Sequence, residues 1–324
     1  MTKAETKTLL QLLEEVPDHR VGNAIKYSLR DILFLGMFAI LCGAETYTGM
    51  QVFSELHLEE LQQYLELPNG VPSHDVFGDV FSRVDIKAVE KCFQIFIESI
   101  KEGENKDRVV ALDGKTIRRS GNKTHKATHI ETAFLSDLEL VLGQMATEEK
   151  SNELTAIPKL LEILALTKCT VTIDAMGTHR NIAEAIHDKG ADYILPVKEN
   201  QPMLLDDIKL YAESDVLVQE KVMLNQTGRY AETNDKGHGR IEKRECWLFD
   251  EVEWLKTRHD WPFLQGVAVI RSTRTMLDTG EVSSVFHYFL FSHQEMTAER
   301  FLTLQRKHWC IENKLHWCLD CCFH

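Results

Sequence analysis

Apolar residues recur at helical spacing through the first hundred positions and at strand spacing after them. The early pattern predicts an amphipathic helix over 8–16, a nearly all-apolar one over 29–42, and a third over 49–65 with an acidic outer face. Pro68, Asn69, Gly70 and Pro72 then punctuate the chain. Ser73 is placed to cap a helix running to Val84, and Asp85 to cap another reaching Ile100. The polar stretch 101–107 contains a glycine and no aliphatic residue, so the domain boundary is expected there: a helical domain over 1–104 and a second domain over 105–324.

In the second domain, strands and helices alternate. Strands are expected over 108–112, 169–173 and 193–197, with a hairpin of 132–135 and 139–146 turning at Ser136-Asp137. Helices are expected over 152–166, 181–189 and 203–212. Three strands, a helix, a strand, a helix and a strand match the ribonuclease H-like order. Residues 217–292 read as a β-rich insertion, with strands over 241–249, 265–271 and 285–291 and a hairpin signal at Asp278-Thr-Gly280. Helix returns over 297–319. The fold class is therefore α/β, preceded by an all-helical domain.

Three acidic residues stand out against this frame. Asp113 and Asp174 each close a run of aliphatic and β-branched residues, which sets a carboxylate at the end of a buried strand. Glu312 lies in the last helical pattern. For either aspartate alone, starting a turn is the simpler role. The three together are what a nuclease-type site needs to hold two divalent ions against a phosphodiester. Gly114 after Asp113 suits a tight turn and a close approach by ligand. Along the last helix, His308, Glu312 and His316 fall four apart and make one polar stripe, able to offer a metal ligand with two DNA contacts beside it. A rival set, His308, Cys310, His316, Cys318, Cys321, Cys322 and His324, lacks the second cysteine pair of a zinc ribbon.

Composition changes this picture little, but charge tests it. The apolar run 32–44 is too short to span a bilayer, no signal-peptide pattern opens the chain, and eight cysteines without regular pairing suit a reducing compartment; the expected location is cytoplasmic. A net charge of −13 argues against nucleic acid as a partner. Beside Asp113, however, Lys115, Arg118, Arg119, Lys123 and Lys126 face that single acid, so a basic stripe borders the candidate site and predicts the track of a phosphate backbone. Lys198, in Lys198-Glu-Asn-Gln-Pro202, belongs to the same edge of the sheet.

Five motifs carry a resemblance. Leu112-Asp-Gly-Lys-Thr-Ile-Arg-Arg-Ser120, Thr172-Ile-Asp-Ala175, Tyr193-Ile-Leu-Pro-Val-Lys-Glu-Asn-Gln-Pro202, Gly237-His-Gly-Arg-Ile-Glu-Lys-Arg244 and His308-Trp-Cys-Ile-Glu-Asn-Lys-Leu-His-Trp-Cys-Leu-Asp320 resemble the DDE transposases of bacterial insertion sequences, in the subgroup of H-repeat-associated proteins. Asp18-His-Arg20, Tyr27-Ser-Leu-Arg-Asp31 and Pro72-Ser-His-Asp75 resemble the helical domain that accompanies them. The resemblance implies a ribonuclease H-like catalytic domain and Asp113, Asp174 and Glu312 as a Mg²⁺-binding triad for two ions, with Mn²⁺ as a substitute. It also implies strand cleavage and transfer at element ends, with double-stranded DNA at ends and target, and a second copy of the chain, as partners. Where related transposases carry Arg and Tyr four and seven positions before the glutamate and Lys seven after, this chain has His308, Gln305 and Leu319, so those helpers do not carry over. Relatives continue past the glutamate helix, so a C-terminal truncation is expected. The alternative function is a catalytically inactive, truncated relative that only binds DNA or another protein.

Overall fold

In the computed structural model, residues 8–22, 25–101, 108–117, 120, 127–147, 153–216, 227–237 and 239–322 are described. They form two compact units that part between Asn105 and Lys106.

The first unit contains α1 (Leu9–Leu13), α2 (Leu29–Leu41), α3 (Tyr47–Leu56), α4 (Leu58–Leu61), α5 (His74–Arg83) and α6 (Ile86–Lys101), and no strand among its described residues. Local chemistry explains the starts. Thr8 and Gln11 make a reciprocal capping box at α1, Ser28 accepts from the Asp31 N–H at α2, and Asp85 accepts from the Lys87 and Ala88 N–H groups at α6. The helix expected over 49–65 breaks at His57 into α3 and α4. Leu12, Ile32, Leu35, Phe77 and Val80 center a core of their own.

The second unit is a mixed α/β structure built on one nine-stranded sheet. Its strands are β1 (Arg108–Thr116), β2 (His129–Leu135), β3 (Leu140–Thr147), β4 (Cys169–Ile173), β5 (Asp192–Val197), β6 (Tyr230–Gly237), β7 (Arg240–Phe249), β8 (Gly266–Met276) and β9 (Val282–Phe291), in the order β3-β2-β1-β4-β5-β9-β8-β7-β6. β1, β4 and β5 are parallel neighbours, and the other pairings are antiparallel. The stretch expected as an insertion is thus continuous with the main sheet, since β9 hydrogen-bonds to β5. It also holds β6 and helix α10 (Glu253–His259), which the pattern of apolar residues did not mark.

The two faces of the sheet are covered differently. α7 (Glu153–Ile163) lies over one, where Gly143 leaves room for Leu160 and Leu164, followed by α8 (Arg180–Asp188) and then α9 (Pro202–Val216). On the other face Val109, Ile194, Cys246, Ala268 and Phe289 pack against Phe301, Leu302 and Leu304 of α11 (Ala298–Lys307). Strand alternation puts Ala111 and Asp113 on this second face, two and four residues beyond Val109.

Candidate active site

The parallel pairing of β1 with β4 ends at Leu112 opposite Ile173, and the next residue on each strand is an aspartate. Register therefore sets Asp113 and Asp174 side by side at the carboxyl end of adjacent strands. Asp174 leaves β4 as the cap of a 3₁₀ turn, Ala175–Gly177, its Oδ1 accepting the Gly177 N–H at 3.1 Å. The loop after β5 braces this turn: Asn200 Nδ2 donates to the Ala175 carbonyl at 2.6 Å and Gln201 Nε2 to the Thr178 carbonyl at 3.0 Å. Fully buried Thr178 donates to the Pro196 carbonyl at 2.6 Å.

Asp113 does not end its strand. β1 runs on to Thr116 along β2, so Gly114 sits inside a strand, opposite Glu131, and not in the tight turn expected of it. Its requirement is space. A Cβ on Gly114 would lie 2.6 Å from Nε2 of His129 and closer still to Oε1 of Glu131. These two side chains are buried and bonded to each other at 3.2 Å, and the other ring nitrogen of His129 meets Thr116 Oγ1 at 3.0 Å. Neither residue stood out in the sequence, although the alternation His129-Ile-Glu131 on a buried strand carries the signal.

The segment bearing Glu312 differs from the expected continuous α-helix. α11 ends at Lys307, residues 311–316 form a π-helical turn, and α12 (Trp317–Cys322) follows. The Trp317 N–H reaches the Glu312 carbonyl, five residues back. The wide turn breaks the four-residue register, so the predicted polar stripe does not form: Glu312 is exposed, whereas His316 is buried. His308 bonds through Nδ1 to Thr172 Oγ1 at 3.0 Å, and Nδ1 of His316 lies 3.3 Å from Asp113 Oδ2. Both imidazoles are turned inward, toward Thr172 and Asp113.

Burial and the nearby charges of Glu312 and Asp174 push the Asp113 carboxyl up to about 7. Burial pushes His308 and His316 down to about 4. At neutral pH both are uncharged, so the His316–Asp113 contact is not an ion pair. Neither histidine offsets the acidic cluster. An all-carboxylate donor set with uncompensated charge suits a hard divalent cation better than a soft one. Among the described residues, however, no three His, Cys, Asp or Glu side chains are gathered closely enough to hold an ion, and this applies equally to Cys310 and Cys318 of the zinc alternative, which are free cysteines. Of the expected DNA contacts, Lys115 pairs with Asp320 at 2.9 Å and Lys198 is exposed, while Arg118, Arg119, Lys123 and Lys126 lie outside the described residues.

Comparison with known proteins identifies the family. Residues 104–324 match the family described as "Transposase DDE domain", and residues 10–97 match the one described as "DDE_Tnp_1-associated". The chain is 36% identical over 323 residues to the "H repeat-associated putative transposase YhhI" of Escherichia coli K12, covering 98% of this chain and 83% of that protein. It is likewise 36% identical over 323 residues to "Putative protein YbfL" of the same organism, with the same coverage. "Inactive transposase YbfQ", also from that organism, is 37% identical over 79 residues, which is 24% of this chain and 94% of that protein. No helix among the described residues is long and apolar enough to cross a membrane. The chain belongs to the DDE transposase family of bacterial insertion sequences, alongside the H-repeat-associated proteins.

Proposed function

We propose that this chain is a metal-dependent DNA transposase with a ribonuclease H-like catalytic domain, cleaving and transferring strands at the ends of its own element. The observation that carries the reading is the register of β1 on β4, with Asp113 and Asp174 adjacent and Glu312 electrostatically coupled to Asp113. The strand order β3-β2-β1-β4-β5, in which only β2 runs against the others, supports the fold assignment.

Asp113, Asp174 and Glu312 are the residues that would hold divalent ions, Mg²⁺ or Mn²⁺. When bound, such ions supply Lewis-acid stabilisation of charge on the scissile phosphate and on the attacking and leaving oxygens. The protein's own contribution is arrangement. The Gly114 N–H holds Oδ1 of Asp113 at 3.0 Å, and the His316 ring packs against the other oxygen at 3.3 Å. Asn200 and Gln201 fix the backbone that carries Asp174. Of the three carboxylates, Glu312 is the exposed one.

The test is cleavage of a duplex carrying the element's ends, with and without Mg²⁺ or Mn²⁺. Asp113→Asn should abolish it; cutting at the wild-type rate by that variant would remove the assignment. A second reading, an inactive family member that binds DNA without cutting, is favoured by the wide spacing of the carboxylates and by the relative named inactive. It predicts duplex binding with no divalent-dependent product.

A further inference from the structure

The Gly237–Arg244 motif takes no part in the carboxylate site. Gly239 adopts a positive φ of 73° in the turn between β6 and β7, and its carbonyl accepts the Leu277 N–H at 2.9 Å. Along β7, Arg240, Glu242 and Arg244 share the face of Cys246 and Leu248, the face that α11 covers and that carries Asp113. Glu242 is largely buried and gathers three guanidiniums: Arg240 at 3.8 Å, Arg244 at 2.8 Å and, from the facing position on β8, Arg274 at 3.2 Å. Asp235, opposite Glu242 on β6, takes Arg244 at 2.9 Å and Arg306 of α11 at 2.7 Å. Four arginines thus share two carboxylates, and the excess is positive. His287 of β9 lies within this field: burial lowers its pKa first, then Lys198, Arg274 and Arg244 together, with only Glu242 opposing.

We infer that this face of β7, β8 and β9, with Arg240, Arg244, Arg274, Arg306 and Lys198, is a phosphate-binding surface for a DNA duplex led toward the carboxylates; the inference rests on the transposase reading. Guanidinium forks held by acidic residues behind them are preorganised for bidentate contact with phosphate oxygens. Lys198 follows β5 in the loop that braces the turn after Asp174, so the surface begins beside the site. From β4 the order passes through β5, β9 and β8 to β7. Four strand spacings of about 4.8 Å come to roughly 19 Å. That is about five to six base pairs at 3.4 Å each, a length suited to several successive phosphates. None of its residues belongs to the stripe of Lys115 to Lys126.

Binding of the full-length protein to a 30-base-pair duplex, titrated at several salt concentrations, tests this. Arg240→Gln/Arg274→Gln should weaken binding at least about tenfold and reduce the log–log salt slope by about two. Lys198→Gln/Arg306→Gln, which leaves the Glu242 cluster intact, should lower the slope similarly. Lys159→Gln/Lys168→Gln, on the α7 side, should leave it unchanged. Unchanged slopes in both test variants, with melting temperatures at the wild-type value, would overturn the proposal, as would a wild-type protein that binds no duplex. Wild-type binding with variants that lose slope, but without divalent-dependent cleavage in any of them, would sink the catalytic reading and leave this surface standing.

Discussion

Replacing Gly114 with alanine separates two accounts of why glycine follows Asp113. In an extended strand with ordinary φ, Gly→Ala normally stabilises a protein by about 0.4–1 kcal/mol by restricting the unfolded chain. Here the new Cβ would fall 2.6 Å from His129 Nε2 and nearer to Glu131 Oε1, and both side chains are buried. Forcing a methyl into a filled interior costs about 1–3 kcal/mol, and parting the His129–Glu131 hydrogen bond costs about 1–3 more. The steric cost wins, with a net loss of about 3 kcal/mol. For a unit of this size that is a fall in melting temperature of roughly 6–12 °C. Thermal and urea unfolding of the full chain measure it. A double-mutant cycle with Glu131→Ala should return a coupling of at least about 1 kcal/mol, because the shorter side chain removes one of the two obstacles. A Gly114→Ala protein as stable as wild type, or more stable, would refute the close-packing argument.

Other outcomes are equally specific. In the absence of divalent ions, Asp113 binds its proton more tightly folded (about 7) than unfolded (3.8), so its contribution to stability falls as pH rises from about 4 to 7. His308 and His316, at about 4 folded against 6.5 unfolded, act in the opposite sense and add stability as pH rises from 4 to 6.5. Asp113→Asn should therefore show a steeper gain between pH 4.5 and 6.5 than wild type, by up to about 1.4 kcal/mol per pH unit, in urea unfolding; an equal or shallower gain counts against the raised carboxyl. Asn200→Ala removes the brace on the turn after Asp174 and should reduce metal affinity or cleavage about 10–100-fold, read by calorimetry and product formation with little change in melting. Phe77→Ala, in the fully buried center of the helical unit, should cost about 3–5 kcal/mol, and a loss under 1 kcal/mol would mean that Phe77 is not a core residue.

Most elements were legible because their signals are local. The cap at Asp85 and the buried, β-branched and aliphatic runs of β4 and β5 act within a few residues, although Ser73, also expected to cap, makes no side-chain bond at the start of α5. The adjacency of Asp113 and Asp174 depends on a pairing of strands 61 residues apart, which the ribonuclease H-like strand order and the resemblance anticipated and no local signal carries. β6 was missed because its outer part, Glu232 to Gly237, is polar; it is held by β7 and by ion pairs across strands instead of by a buried face. The π turn was invisible because a four-residue spacing is the same string of letters whether the backbone closes on i−4 or i−5. Gly114 misled for a related reason: a sequence does not say whether a glycine is there for its φ or for its lack of a side chain.

The nine-stranded sheet also sets a timetable. β1 carries the first carboxylate, yet the turn that carries the last one packs onto that same strand 199 residues later. At about 5–20 residues per second, a ribosome delivers Glu312 roughly 10–40 s after Asp113. Between those moments β5 must wait for β9, nearly a hundred residues downstream, before its second edge is covered. A nascent chain therefore has no complete carboxylate set until almost all of this sequence has been made.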